Sequence, residues 1–250
     1  MNWIEKLKKG IDASKAWKSG KLQLPSLFSS PPRTPARPSK PRLLQPRDMP
    51  RRRGEGIKQR VALLHSLAHI EYNAINLAWD LITRFSFITW PTEFYDDWIQ
   101  VAIDEARHFE LLNKRLKYYS SEYGALPAHG RMWETATQTS HNPLSRLALV
   151  PLNLELRGLD VSPKIINRLN KAGDHESADL IDVISTDEIK HVAAGWRWFS
   201  WLCDSFDLNP EHTYNELTHR LFPVSHKHPF NETARKQAGL PSSLCKQALD

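Results

Sequence analysis

At 250 residues, the chain can form one substantial domain with a hydrophobic core, or two small ones. Its net charge is +6, and its two cysteines, Cys203 and Cys245, form neither a disulfide framework nor a metal-binding spacing, which fits a reducing cytoplasm. No apolar run approaches the roughly 20 residues of a membrane span, and the N-terminal segment lacks the apolar core of a secretory signal. We therefore expect a cytoplasmic protein without a transmembrane helix.

The charge is unevenly distributed along the chain. Residues 1–53 contain 14 basic and three acidic residues, a charge of +11, which leaves −5 for the remainder. A mildly acidic body therefore follows a strongly basic N-terminal region.

Residues 1–24 predict a short amphipathic helix. Trp3, Ile4, Leu7 and Ile11 share one predicted face, and lysines surround it. Such a helix can dock on its own protein or lie on a membrane surface, and we favour docking.

Residues 25–55 predict an extended arm rich in proline and arginine. The stretch 25–53 holds eight of the 17 prolines and eight Lys or Arg residues, but one acidic residue. This composition favours polyproline-like structure over a packed core. The arm could bind RNA through its phosphates, or it could lie across the acidic body of its own chain.

From residue 56 onward the hydrophobic pattern is helical. We predict an all-α fold, with a four-helix bundle over 56–206 and a C-terminal extension of loops and short helices over 207–250. The long helices are expected at about 57–85, 92–120, 143–160 and 175–206. In the third, Pro151 should cause a kink, and Ser162 and Pro163 should begin a separate short helix that Gly173 ends.

Each long helix carries acidic or histidine residues on its apolar stripe. The first has Glu71, and the second has Glu105 and His108. The third has Glu155, and the fourth has Glu188 and His191. The order of a Glu helix followed by a Glu-x-x-His helix therefore occurs twice, with the glutamates 34 and 33 residues apart.

These six side chains form a metal-ligand pattern. Positions i and i+3 lie on one side of a helix, so a Glu-x-x-His pair can reach one ion. One such pair alone is usually an exposed couple on a helix surface. Four carboxylates and two imidazoles on four helices form the ligand set of dinuclear carboxylate bundles. Two divalent cations would offset the buried negative charge, and oxygen and nitrogen ligands without thiolates suit two Fe ions, with Mn possible.

Several segments also resemble a known group of proteins. The stretches "DEARH" and "DEIKH" resemble the signature of the ferritin-like di-iron carboxylate superfamily. Together with "HSLAHIEYNAINLAWD", "LELRGLD" and "PFNETARKQAGL", they resemble the uncharacterised bacterial family known as domain of unknown function 455. This resemblance covers about residues 30–240 and implies the ferritin-like fold and the metal ligands, but no substrate.

The resemblance implies how the ligands would be divided between two ions. One ion would take Glu71, Glu105 and His108, and the other would take Glu155, Glu188 and His191, with Glu105 and Glu188 as bridges. Asp104 and Asp187 could orient the histidines from outside the ligand set, or could pair with neighbouring bases. The second half departs from the signature because Lys190 stands where the first half has Arg107.

Other polar residues on these helices have simpler interpretations. His65 and His69 lie off the Glu71 stripe and are expected to form hydrogen bonds at the surface or in the core. Arg157 and Asp160 are expected to form an i,i+3 pair.

Three functions are compatible with this site. The leading hypothesis is an oxygen-dependent oxidoreductase that uses dioxygen, an electron donor and an unknown small-molecule substrate. The second is iron oxidation and sequestration, or peroxide detoxification. The third is an RNA-base hydroxylase docked by the basic arm. The arm and the irregular C-terminal extension favour a monomer or small oligomer over a storage shell.

Overall fold

A computed structural model describes residues 3–22, 31–50, 54, 56–221 and 229–245. The predicted all-α class is confirmed. The helices are α1 (Trp3–Lys18), α2 (Ile57–Arg84), α3 (Thr92–Tyr118), α4 (Arg131–Gln138), α5 (Pro143–Leu147), α6 (Asn153–Lys171), α7 (His175–Ser205), α8 (Pro210–Leu221), α9 (Glu232–Gln237) and α10 (Ser242–Cys245). One π-helical turn, Ala148–Leu152, joins α5 to α6. Two short strands, β1 (Leu43–Leu44) and β2 (Ala128–His129), pair in parallel.

The chain divides into two compact units, Met1–Thr137 and Gln138–Asp250. The first unit is built on α2 and α3, which pack side by side, so that the start of α2 lies near the end of α3. The imidazole of His65, early in α2, accepts a 2.9 Å hydrogen bond from the amide of Gly124, just after α3. The predicted apolar stripes of both helices form the core of this unit, from Leu64 to Phe85 on α2 and from Trp98 to Leu112 on α3.

The helix α1 docks on this unit, but through a different face from the predicted one. Trp3 packs edge-on against Phe109 and Leu7 is buried, whereas the side chains of Ile4 and Ile11 are 58% and 37% exposed. The inward face therefore follows the spacing of residues 3, 7, 10 and 14. Gly10 permits the approach, since a Cβ there would already lie 3.4 Å from the indole nitrogen of Trp79.

The described part of the predicted arm lies along the first unit. The backbone carbonyl of Pro32 accepts a hydrogen bond from Arg84, and that of Arg33 accepts one from Trp133. The carbonyl of Ala36 accepts one from Lys6. Residues 25–30, 51–53 and 55 of the predicted arm lie outside the described residues. The described segment of the arm therefore packs on its own chain through backbone carbonyls, and RNA binding by the arm stays a prediction.

Two histidines of α2 hold the segment after α3, which confirms their interpretation as hydrogen-bonding residues. His65 is fully buried. Burial lowers the pKa of His69 to about 4, so this imidazole is neutral. Its Nε2 lies 3.2 Å from the carbonyl oxygen of His129 and 3.2 Å from the side-chain amide nitrogen of Asn73, and its Nδ1 lies 2.9 Å from the hydroxyl of Tyr123.

The second unit is built on α6 and α7. Asn142 caps α5 through a 2.8 Å bond to the amide of Ser145, and Asp174 caps α7 through the amide of Ser177. At Pro151, where the sequence predicts a kink, the chain forms the π-helical turn, a feature at which helices commonly bend.

The predicted break at Pro163 is wrong, because α6 runs through this residue to Lys171. Proline has no amide hydrogen, so the carbonyl of Leu159, four residues earlier, loses its helical donor. The side-chain amide of Asn231 replaces that donor with a 3.2 Å hydrogen bond. A partner distant in sequence thus allows the helix to continue.

Within the described part of the chain, no helix combines the length and the apolar character needed to cross a membrane.

Candidate metal centre

The first unit brings together Glu71, Glu105 and His108. One possible ligand atom from each lies within 4.8 Å of the other two. The Nδ1 atom of His108 is 3.5 Å from a carboxylate oxygen of Glu71 and 3.7 Å from one of Glu105. All three side chains are buried, with exposures of 5%, 1% and 0% in chain order. We call this set the first triad.

Burial of two carboxyl groups side by side is electrostatically costly. Desolvation, and then the charge of Glu105, raise the pKa of Glu71 well above its usual value, and the nearby imidazole of His108 opposes this only in part. Without a cation, the first triad therefore disfavours the charged form of Glu71. A bound divalent ion would favour that charged form and offset its charge.

The second unit brings together Glu155, Glu188 and His191. Their possible ligand atoms also lie within 4.8 Å of one another, and Nδ1 of His191 is 3.3 Å from a carboxylate oxygen of Glu188. Glu188 and His191 are buried, and Glu155 is partly buried. We call this set the second triad.

The spacing within each triad fits a shared ion. Nitrogen and oxygen ligands bind such ions at about 2.0–2.2 Å, which places neighbouring ligand atoms roughly 3.0–3.5 Å apart. The observed separations of 3.3–3.7 Å are close to this range and are longer than a strong hydrogen bond. In both units the imidazole presents Nδ1 to the carboxylates, so Nε2 is the distal nitrogen. Each unit thus contains a Glu/His cluster that could hold a metal ion.

A glycine shapes the second triad. Gly195 lies one turn after His191 on α7, and a Cβ there would be 3.2 Å from Cγ of Leu152 and 3.6 Å from the backbone carbon of Pro151. The π-helical turn before Glu155 therefore packs directly against the helix that carries the histidine.

The two aspartates of the signature show contacts with their own helices. Asp104 accepts a 3.2 Å hydrogen bond from Gln100, and Asp187 pairs with Lys190 at 3.5 Å. The contact of Asp187 with Lys190 matches pairing with a neighbouring base, whereas Gln100, which donates to Asp104, is a neutral amide. The orienting role toward His108 and His191 stays a prediction. Lys190, which replaces the arginine of the signature, is 76% exposed.

Comparison with known proteins defines the family. The family described as "Protein of unknown function (DUF455)" matches residues 1–246. The chain belongs to the DUF455 family. This DUF455 member is also 38% identical over 207 residues to an uncharacterized protein of Haemophilus influenzae, which covers 81% of the chain and 72% of that protein. No solved structure matches the chain.

Sequence reasoning missed an important contact of Asp160. This carboxylate was expected to pair with Arg157, but it receives two hydrogen bonds from Arg235, at 3.0 and 2.6 Å. The ion pair is almost fully buried. Arg235 lies in "PFNETARKQAGL", one of the segments that resemble the family. No local spacing, however, connects it with Asp160, which lies 75 residues away in the chain.

Proposed function

We propose that this DUF455 protein is a ferritin-like dinuclear metalloprotein, with two iron ions as the preferred occupants, and that it acts as an oxygen-dependent oxidoreductase. The observation that carries the proposal is the pair of buried triads. Each offers two carboxylates and one imidazole to an ion, and together they supply the four carboxylates and two imidazoles of the dinuclear ligand set.

The electrostatics of the first triad support a resident cation. Glu71 and Glu105 place two carboxyl groups side by side at no more than 5% exposure, and burial raises the pKa of Glu71. Without a cation, such a pair lowers the stability of the folded protein. Protein cores seldom keep such a group without a compensating charge. A divalent ion provides that charge and gains buried, preorganised ligands.

The protein groups have distinct tasks in this proposal. Glu71, Glu105 and His108 would hold one ion, and Glu155, Glu188 and His191 would hold the other. His108 and His191 would bind through Nδ1. Two ferrous ions held in this way supply electrons and Lewis acidity to dioxygen.

The metal content of the purified protein tests the dinuclear assignment. Protein reconstituted with Fe(II) under nitrogen should hold about two ions per chain, by the ligand count. X-ray absorption should show a metal–metal vector if both triads serve one centre. Less than half an ion per chain after reconstitution would overturn the metal assignment, while two ions without that vector would leave two separate mononuclear sites.

Oxidation of added Fe(II) separates an oxidoreductase from an iron store. An oxidoreductase keeps its ions and should oxidise about two Fe(II) per chain, by the same ligand count, and then stop until a reductant is supplied. A store continues to oxidise iron and holds the mineral in a multi-chain shell. A ferritin-sized particle in light scattering, with iron uptake far above the ligand count, would favour storage.

A further inference from the structure

The segment of α6 that carries Glu155 lies between two prolines. Pro151 precedes it in the π-helical turn, and Pro163 follows it inside the helix. Each proline removes one backbone donor, and a helix with such gaps bends easily unless other groups fill them. The position of Glu155 therefore depends on what holds this segment at its two ends.

The beginning of the segment is held by α7. Gly195 lets the π-helical turn approach so closely that a single added methyl group would contact Leu152. This contact fixes the start of α6 relative to the helix that carries Glu188 and His191.

The end of the segment is held by residues 230–235, which we call the C-terminal clamp. The side-chain amide of Asn231 donates to the carbonyl of Leu159, the one that Pro163 leaves without a helical donor. The backbone amide of Asn231 donates to the carboxylate of Asp160 at 2.9 Å. One helical turn separates Glu155 from Leu159, so the clamp contacts the turn that directly follows the ligand.

An ion pair reinforces the clamp. The guanidinium of Arg235 is 2% exposed and binds both carboxylate oxygens of Asp160. It also donates to the carbonyl of Leu244 and stacks on the ring of Phe230 at 3.7 Å. A bidentate, stacked guanidinium has a fixed orientation, so it restrains Asp160 more tightly than a single contact would.

We propose that the C-terminal clamp is a positioning device for Glu155: by filling the backbone gap at Pro163, it holds the second triad in the geometry that binds metal. This inference rests on the proposed metal function. Asn231 and Arg235 touch neither ion in this proposal and act through α6.

The decisive variant is Asn231→Asp in the full-length chain. It keeps the oxygen that caps α9 by accepting from the amide of Ala234, but it replaces the donor to Leu159 with a second oxygen. Equilibrium titration with Mn(II), followed by the paramagnetic resonance of the unbound ion, counts the sites. Wild-type protein should bind two ions. In the variant one ion should bind roughly 10- to 100-fold more weakly, the usual effect of losing a group that supports a ligand, while the other keeps its affinity.

Two further variants separate positioning from general stability. Adding Pro163→Ala to Asn231→Asp restores a backbone donor for Leu159, so the double variant should recover the second ion. If Asn231→Asp alone does not fold, this double variant decides the matter, and failure to bind two ions overturns the proposal. Lys236→Ala removes a largely exposed ion pair with Glu232 on the same helix, and it should leave the affinity for both ions unchanged.

The remaining outcomes are distinct. If Asn231→Asp melts at a lower temperature but binds both ions like wild type, the clamp is only structural and the proposal is wrong. If the wild-type chain binds no Mn(II) or Fe(II), the metal function fails before any variant is compared, and the positioning role falls with it.

Discussion

Gly195→Ala tests whether close packing of α7 on the π-helical turn shapes the second unit. The new Cβ would lie 3.2 Å from Cγ and 3.3 Å from Cδ2 of Leu152, and 3.6 Å from the backbone carbon of Pro151. Leu152 is fully buried, so its side chain has little room to move. The atoms around Gly195 must therefore shift by a few tenths of an ångström to admit the methyl group.

The expected magnitude follows from two opposing effects. Replacing glycine by alanine inside a helix stabilises it by about 1 kcal/mol. Overpacking a buried contact costs about 1–3 kcal/mol. The net change for Gly195→Ala should therefore lie between no effect and about 2 kcal/mol of destabilisation, from the same two ranges.

Gly158→Ala on α6 is the matched control. A Cβ at Gly158 would meet no atom within 4 Å among the described residues, so only the helix preference remains and this variant should be stabilised by about 1 kcal/mol. Each substitution changes the free energy of unfolding, and both changes include the same helix preference. Their difference therefore gives the packing cost alone, about 1–3 kcal/mol. Urea unfolding of the metal-free proteins, followed by circular dichroism, measures it. Equal stabilisation by both substitutions would refute the close contact at Gly195.

Further outcomes can be checked with standard assays. Removal of the metal with a chelator should lower the melting temperature in scanning calorimetry. Each ion present at 100 times its dissociation constant stabilises the folded state by about 2.7 kcal/mol. Identical melting curves with and without metal would argue against ligands that are buried together. Glu105→Ala and Glu188→Ala should each abolish binding of the second ion equivalent by elemental analysis, whereas Glu110→Ala, at an exposed position of α3, should not. Burial raises the pKa of the Cys203 thiol to about 11 and also raises that of Cys245. Both thiols are buried, so neither cysteine should react with a disulfide reagent at pH 8 until denaturant is added; rapid reaction of the native protein would contradict this.

The ligand-bearing helices could be predicted from the sequence because their signal is local. The 3-4 spacing of apolar residues through Glu71, Glu105 and Glu188 specifies which helix face is buried. A carboxylate on that face with a histidine at i+3 indicates that both side chains can reach one ion. The structure places each of these residues in a triad with the expected neighbours of its own unit. Residue spacing was sufficient to select these side chains, and the family resemblance implied how they divide into two sets.

Other features depend on contacts that no local pattern contains. In α1, two overlapping apolar faces compete, and Gly10 together with Trp79 on another helix decides between them. At Pro163 the local rule predicts a helix end, but Asn231 supplies the missing donor. Asp160 has an arginine at the favourable i−3 position, yet it pairs with Arg235, which is buried and correctly oriented.

The two triads differ in how firmly their helices hold them. Glu71, Glu105 and His108 lie on the uninterrupted helices α2 and α3. Glu155 lies instead on a helix with two prolines, whose gaps are filled by a π-helical turn at one end and by a side chain from another helix at the other. A helix with its own backbone bonds resists displacement of a ligand, whereas one completed by a side chain can shift when that contact loosens. In the proposed centre we therefore expect Glu155 to change its coordination most readily, with the C-terminal clamp limiting how far it can move.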